Sequence, residues 1–249
     1  LDGGVGAFSD NRFACTQLLK AVGNLLAGRP DEERKEMAGE LFALGADKVF
    51  GVILRLCGKE GEPGAAERSS DLRHHASVML YRLVPMKEGI EWVAANPGQV
   101  DVISAMFGDD AQPGAIREHA AAVLLSFSRV KELQGRLATP ETLDAIMRAL
   151  DSGADAGSGA VDYHRTLRRY AGTIMGDISA LPSLHEWIEA DPHPFMSTVI
   201  SMLPSSDAAD AAQNSRIAGS ILSNVSSAAP LQRSIIEVGG LEPLIAAVG

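Results

Sequence analysis

The sequence predicts an all-α protein, a solenoid of about five helical repeats stacked one on the next. Three observations predict it. Aromatic residues are 5% of the 249 while hydrophobic residues are 46%, and a mixture rich in Ala, Leu, Ile and Val favours helices packed on helices. One apolar template, with residues at 0, +3, +4 and +7, recurs along the chain, and that spacing puts four side chains on one helical stripe. A second apolar helix follows each copy at a nearly constant distance, as repeat architectures require.

The copies run in order. A weak first one reads Leu18, Ala21, Val22, Leu25. Four strong ones follow: Ala76, Met79, Leu80, Leu83; Ala120, Val123, Leu124, Phe127; Ala171, Ile174, Met175, Ile178; Ala218, Ile221, Leu222, Val225. The residue after each strong anchor is small, Ser77, Ala121, Gly172 and Gly219. Two small residues in succession let another helix approach closely. The stripes of the second helices are Val49, Val52, Ile53, Leu56; Val100, Ile103, Phe107, broken by Ser104; Leu143, Ile146, Met147, Leu150; Met196, Val199, Ile200, Leu203; and Leu241, Leu244, Ile245, Val248. From first anchor to second the distance is 24, 23, 25 and 23 residues in the strong copies and 31 in the weak one.

The links are patterned too. Asn96-Pro97, Thr139-Pro140, Asp191-Pro192 and Gly239-Gly240 precede the second helices. Asn, Thr and Asp are good N-caps, and Pro suits the first helical position. "EWVAANP" (91–97) and "EWIEADP" (186–192) share one pattern 95 residues apart. Trp92 and Trp187 therefore read as one packing position used twice.

The stretch "NSRIAGSILSNVSSAAPLQRSIIEVGGLEPLIAAV" (214–248) resembles an armadillo repeat: a long helix, a short helix, a Gly-Gly break and a helix opening on Leu. The other copies lean toward the related HEAT type. The resemblance implies a right-handed α-solenoid of about five armadillo/HEAT-like repeats, roughly 10–57, 72–107, 116–150, 165–203 and 214–249, forming a single domain over 1–249. The Gly/Ser/Ala/Pro-rich stretches 58–71, 108–115, 151–162 and 204–215 fall between copies and read as loops on one edge. The chain begins at Leu1 and its last helix is as apolar as the inner ones. It reads as a fragment of a longer chain, with the C-terminal end covered by further repeats or by a partner.

Composition narrows the function. A formal net charge of -10 disfavours phosphate backbones, so no nucleic-acid partner is expected. No apolar run approaches the length of a bilayer span, so no membrane insertion is expected. Cys15 and Cys57 sit in apolar patterns and read as core residues of a cytoplasmic, reducing setting; an organelle reached through a removed targeting segment is compatible with the same features. No GxSxG, GxxxxGK[ST], HExxH or CxxC motif occurs. No cofactor, metal or catalytic residue is assigned. His185, Glu189 and His193 read as polar residues near a helix end, and Gly157-Ser158-Gly159 as part of a loop.

The informative surface is the face of each long helix opposite its stripe. Positions -1, +2 and +6 lie about 160–260° from the anchor. Position -1 holds His75, His119 and Tyr170, a possible ladder for an extended segment. Position +2 holds Val78, Thr173 and Ser220. Position +6 holds Arg82, Ser126, Asp177 and Asn224, with Asn24 in the weak copy. Armadillo proteins of the nuclear-import adaptor kind carry a Trp at +2 and an Asn at +6; no Trp stands at +2 here, so the stacking slots for basic peptides are missing. The resemblance implies a protein or peptide partner bound along a concave face, in a scaffold, adaptor, chaperone or assembly subunit. The alternative is a regulatory domain, or a non-catalytic part, of a larger enzyme.

Overall fold

The computed structural model of the chain describes residues 12–27, 29–43, 45–57, 70–151, 161–203 and 211–248. Every regular element among them is helical. In chain order they are α1 (Arg12–Ala27), α2 (Asp31–Ala43), α3 (Ala46–Cys57), α4 (Ser70–Leu83), α5 (Lys87–Ala95), α6 (Gly98–Gly108), α7 (Gly114–Ser128), α8 (Lys131–Leu137), α9 (Pro140–Asp151), α10 (Val161–Ile178), α11 (Pro182–Ala190), α12 (Pro192–Ser201), α13 (Ala211–Val225), α14 (Ala229–Glu237) and α15 (Leu241–Val248). They fall into five successive triplets. The predicted loops at 58–71, 151–162 and 204–215 lie largely outside the described residues, as do the side chains of Cys15 and Cys57. The loop at 108–115 is present between α6 and α7.

The chain divides into two compact units, Leu1–Val123 and Leu124–Gly249. In the N-terminal unit α4 packs on α1 and α3, and α3 also meets α2 and α5. Its core holds Leu26, Phe50, Ile53, Leu80, Leu83, Ile103 and Phe107. Trp92 stacks on Phe50 with ring centroids 4.7 Å apart. In the C-terminal unit α10 packs on α9, and α13 packs on α10 and α12, while α14 rests on α11 and α12. Phe127, Leu137, Ile146, Ile174, Ile178, Phe195 and Val225 are fully buried there. Trp187 meets Phe195 edge-on at 6.3 Å. Both tryptophans are thus packing residues.

Every stripe residue of the four strong copies is buried, because the 3.6-residue period leaves that face no alternative. The first copy differs. Ala21 is exposed, whereas Gly23, Leu26, Phe50 and Leu54 are buried. Helix α1 carries Leu18, Leu19, Leu25 and Leu26, and so offers two stripes one residue apart. The buried one begins a residue later than predicted.

The caps depart from expectation in two places. Thr139 Oγ1 accepts from Thr142 N–H at 3.4 Å, as an N-cap should. Asn96 instead closes the helix before it, its Nδ2 donating to Trp92 O at 2.9 Å. Asp191 makes no side-chain cap bond at α12. The break at 239–240 is real: Gly239 has φ +80°, and a Cβ on Gly240 would lie 2.8 Å from Ile235 O.

The predicted tight contact at small residues holds at one glycine of two. A Cβ on Gly172 would lie 3.3 Å from Ile217 Cγ2 of α13, but one on Gly219 would meet nothing within 4 Å. Gly89, by contrast, starts α5 against the end of α4, and its Cβ would fall 2.5 Å from Leu83 O. Gly89→Ala should therefore destabilise by about 1–3 kcal/mol through overpacking against backbone. Gly219→Ala should be neutral or stabilise by up to about 1 kcal/mol through helix propensity. Urea unfolding of the two variants checks the pair; equal effects would contradict the geometry.

Candidate functional site

Residues at +6 of the long helices were expected on an open face. The structure turns most of them inward, toward the preceding helix. Arg82 Nη1 of α4 donates to Gly23 O of α1. Asp177 of α10 accepts from Ser128 Oγ at 2.6 Å. Asn224 Nδ2 of α13 donates to Ser179 Oγ at 2.8 Å. Ser126 is half-buried and also engaged. These side chains stitch neighbouring helices together. Asn24 is exposed on α1, and the shifted stripe there removes it from the series.

A second regularity supports the stitches. Eight residues after the anchor stand Ser128, Ser179 and Ser226. Their hydroxyls lie 2.8, 2.7 and 2.9 Å from the carbonyls of Leu125, Gly176 and Ser223. Fourteen residues after the anchor, on the short helix, stand Gln134, His185 and Gln232. Their side-chain nitrogens reach the carbonyls of those serines at 2.7, 2.8 and 2.7 Å. The last carbonyls of a helix have no partner within it, and this pair of residues supplies one at each long-helix end. His185 is accounted for by that bond.

At position -1 the expected ladder resolves into local contacts. His75 is half-buried and engaged. Tyr170 is half-buried, with the Arg169 guanidinium carbon 5.4 Å from its ring centroid. His119 sits in an aromatic cluster, its ring stacked on Tyr81 at 5.4 Å and 5.6 Å from that of His74. Its Nδ1 lies 2.9 Å from Ser77 Oγ. A serine beside a histidine at that distance has the form of a nucleophile and its base. Ser77 is completely buried, however, and its hydroxyl donates to His74 O at 2.8 Å. The pair therefore ties α7 to α4 and leaves no path for a substrate. At +2, Val78 lies half-buried near Gly23, Thr173 Oγ1 donates to Arg169 O at 2.9 Å, and Ser220 is exposed. Among the described residues no three His, Cys, Asp or Glu side chains gather as a metal would need, and no helix is long and apolar enough to cross a membrane.

The surface that does gather exposed apolar atoms lies on the last three helices. A groove of about 390 Å³ is lined by Gly219, Leu222, Ser223 and Ser226 of α13 and its end, Gln232, Ile235 and Ile236 of α14, and Leu241 and Leu244 of α15. Ile236, Leu241 and Ile245 are 55%, 50% and 73% exposed. The inner third helices bury such positions: Leu143, Ile146 and Leu150 are fully covered in α9. The sequence signalled this end through the unbroken apolar stripe of α15. It did not signal that α13 and α14 share in a groove.

Two predictions follow from the inward-turned residues. Arg82→Glu and Asp177→Arg should each lower stability by about 1–3 kcal/mol, since each breaks a hydrogen bond to a charged group; thermal melts unchanged from wild type would show that those faces are free after all. His119 should make the fold acid-sensitive. Burial first, then the nearby His74 and Arg82 charges, lower its pKa from 6.5 to about 4. Between those values the unfolded chain takes up a proton that the folded one refuses. Stability from this residue is therefore full above about pH 6.5 and falls as the pH drops toward 4, by about 2–3 kcal/mol across the window. The difference between melting points at pH 7 and pH 4.5 should shrink in His119→Gln; an unchanged difference would remove His119 as its source.

Compared with known protein families and with curated proteins, the chain matches none.

Proposed function

We propose that the chain is a protein-interaction module, built as an armadillo/HEAT-like stack of five helix triplets, and that it holds a partner protein rather than transforming a substrate. The groove on α13, α14 and α15 carries this reading. Large side chains that are half or more exposed, such as Ile236, Leu241 and Ile245, form an adhesive patch of the kind that marks interaction sites. Gln232, Arg233, Glu237 and Glu242 are exposed nearby and supply the polar rim that surrounds apolar contact surfaces. The long-helix face contributes less than its sequence promises, because Arg82, Asp177 and Asn224 are spent on neighbouring helices. Ser220 and Thr173 are the members of that face with room for a partner segment.

The reading is tested by placing a photo-crosslinking amino acid at Ile236 and, separately, at the exposed Glu132 of the chain expressed in its own cells. Discrete protein adducts should form from position 236 and not from position 132. An absence of adducts from 236, or the same pattern from both, would overturn it.

A further inference from the structure

The joint between α10 and α13 shows what the groove on α13 is shaped to receive. One residue after its anchor α10 has Gly172, and the Cβ that it lacks would lie 3.3 Å from Ile217 Cγ2 of α13. Eight residues after the anchor is Ser179, whose Oγ accepts from Asn224 Nδ2 of α13. Seventeen residues after the anchor is Ile188, fully buried. In α13 and α14 the same offsets read Gly219, Ser226 and Ile235, and all three line the groove. The receiving half of the joint is already built there. Ser226 Oγ donates to Ser223 O at 2.9 Å, as Ser179 Oγ does to Gly176 O at 2.7 Å. Gln232 holds the Ser226 carbonyl at 2.7 Å, as His185 holds that of Ser179 at 2.8 Å. The covering half differs: Ile217 stands over Gly172, while nothing lies within 4 Å of a Cβ at Gly219.

We infer that the groove takes one amphipathic helix from a partner protein, seated on α13 as α13 is seated on α10, with an apolar residue over Gly219 and an Asn or Asp seven residues later hydrogen-bonded to Ser226 Oγ. Residues seven apart share one helical face, which is how Ile217 and Asn224 reach α10 together. Asn serves because Ser226 has donated its own proton to Ser223 O and keeps lone pairs for an N–H. Asp serves as well: at the α7 end the Ser128 hydroxyl turns to give its proton to Asp177 at 2.6 Å. The remaining apolar positions of the incoming helix would cover Leu222, Ile236 and Leu241. This inference rests on the reading of the chain as an interaction module and names the chemistry that the module accepts.

The test uses the full chain and a fluorescent peptide with the sequence of residues 211–225, which carries Ile217 and Asn224 in the required register. The peptide is stapled into a helix through positions 212 and 216, both exposed in α13. Fluorescence polarisation should show saturable binding. Gly219→Leu in the protein should weaken it at least tenfold by filling the seat of the apolar residue. Ser226→Ala in the protein and Asn224→Ala in the peptide should each weaken it roughly three- to tenfold, with the double change no worse than one alone, since both remove the same hydrogen bond. Circular dichroism confirms that each variant is folded, and if Gly219→Leu is not, the Ser226–Asn224 cycle decides. No binding, binding indifferent to Gly219→Leu, or additive effects in the cycle would overturn the inference. Self-association of the chain in sedimentation, abolished by Gly219→Leu, would also overturn it by giving the groove to a second copy. Adducts at position 236 without peptide binding would reject this helix register and leave the interaction module standing.

Discussion

Ile217 of α13 rests where residue 172 of α10 has no side chain, 3.3 Å from the place a Cβ would take. That contact sets how near two successive long helices come, and much of the C-terminal unit depends on the spacing. Amphipathic helices of this length are marginal alone and gain their stability by covering an apolar face. At this spacing Ala171, Ile174, Ile178, Ala218, Ile221 and Val225 are all completely buried. It is also the spacing at which a side chain on one helix reaches the end of the next. Asn224 finds Ser179 because the backbones are close, and Gly172 is what lets them be close.

The polar chemistry of the molecule follows from the same constraint. Each long helix ends in carbonyls that need donors, and the structure supplies them from a serine in the turn and from Gln or His on the short helix. Once bonded to its own helix end, the serine still has a hydrogen-bonding site facing outward. Ser128 and Ser179 use it to hold the following long helix. One hydroxyl thus closes a helix and joins it to the next. The first strong copy has Val84 and Ile90 at these offsets and is joined differently, through Arg82 to a backbone carbonyl of α1 and through Ser77 to His119.

This regularity gives the groove its meaning. An exposed apolar surface by itself says only that something adhesive is uncovered. Here the surface carries the same glycine, serine and isoleucine, at the same offsets, as a surface whose occupant is visible one joint earlier. The shape and the polar anchor of a ligand can therefore be read from inside the molecule.

The sequence by itself determined the helices, their order and their buried faces. The period of 3.6 residues is a local property, so the stripes at Ala76, Ala120, Ala171 and Ala218 could be placed without knowledge of any neighbour. Where local information was degenerate it failed: paired leucines on α1 allow two stripes, and only packing against α4 selected the later one. The candidate site was far less legible. Arg82, Asp177 and Asn224 have the composition of a ligand-binding face, yet whether such a side chain points to solvent or to the next helix depends on how close that helix lies. Gly172 and Gly219 look equivalent in sequence; one is covered and the other open. Those distinctions are distances between segments far apart in the chain. Tertiary structure alone decided them, because a side chain's partner is set by what packing brings within reach.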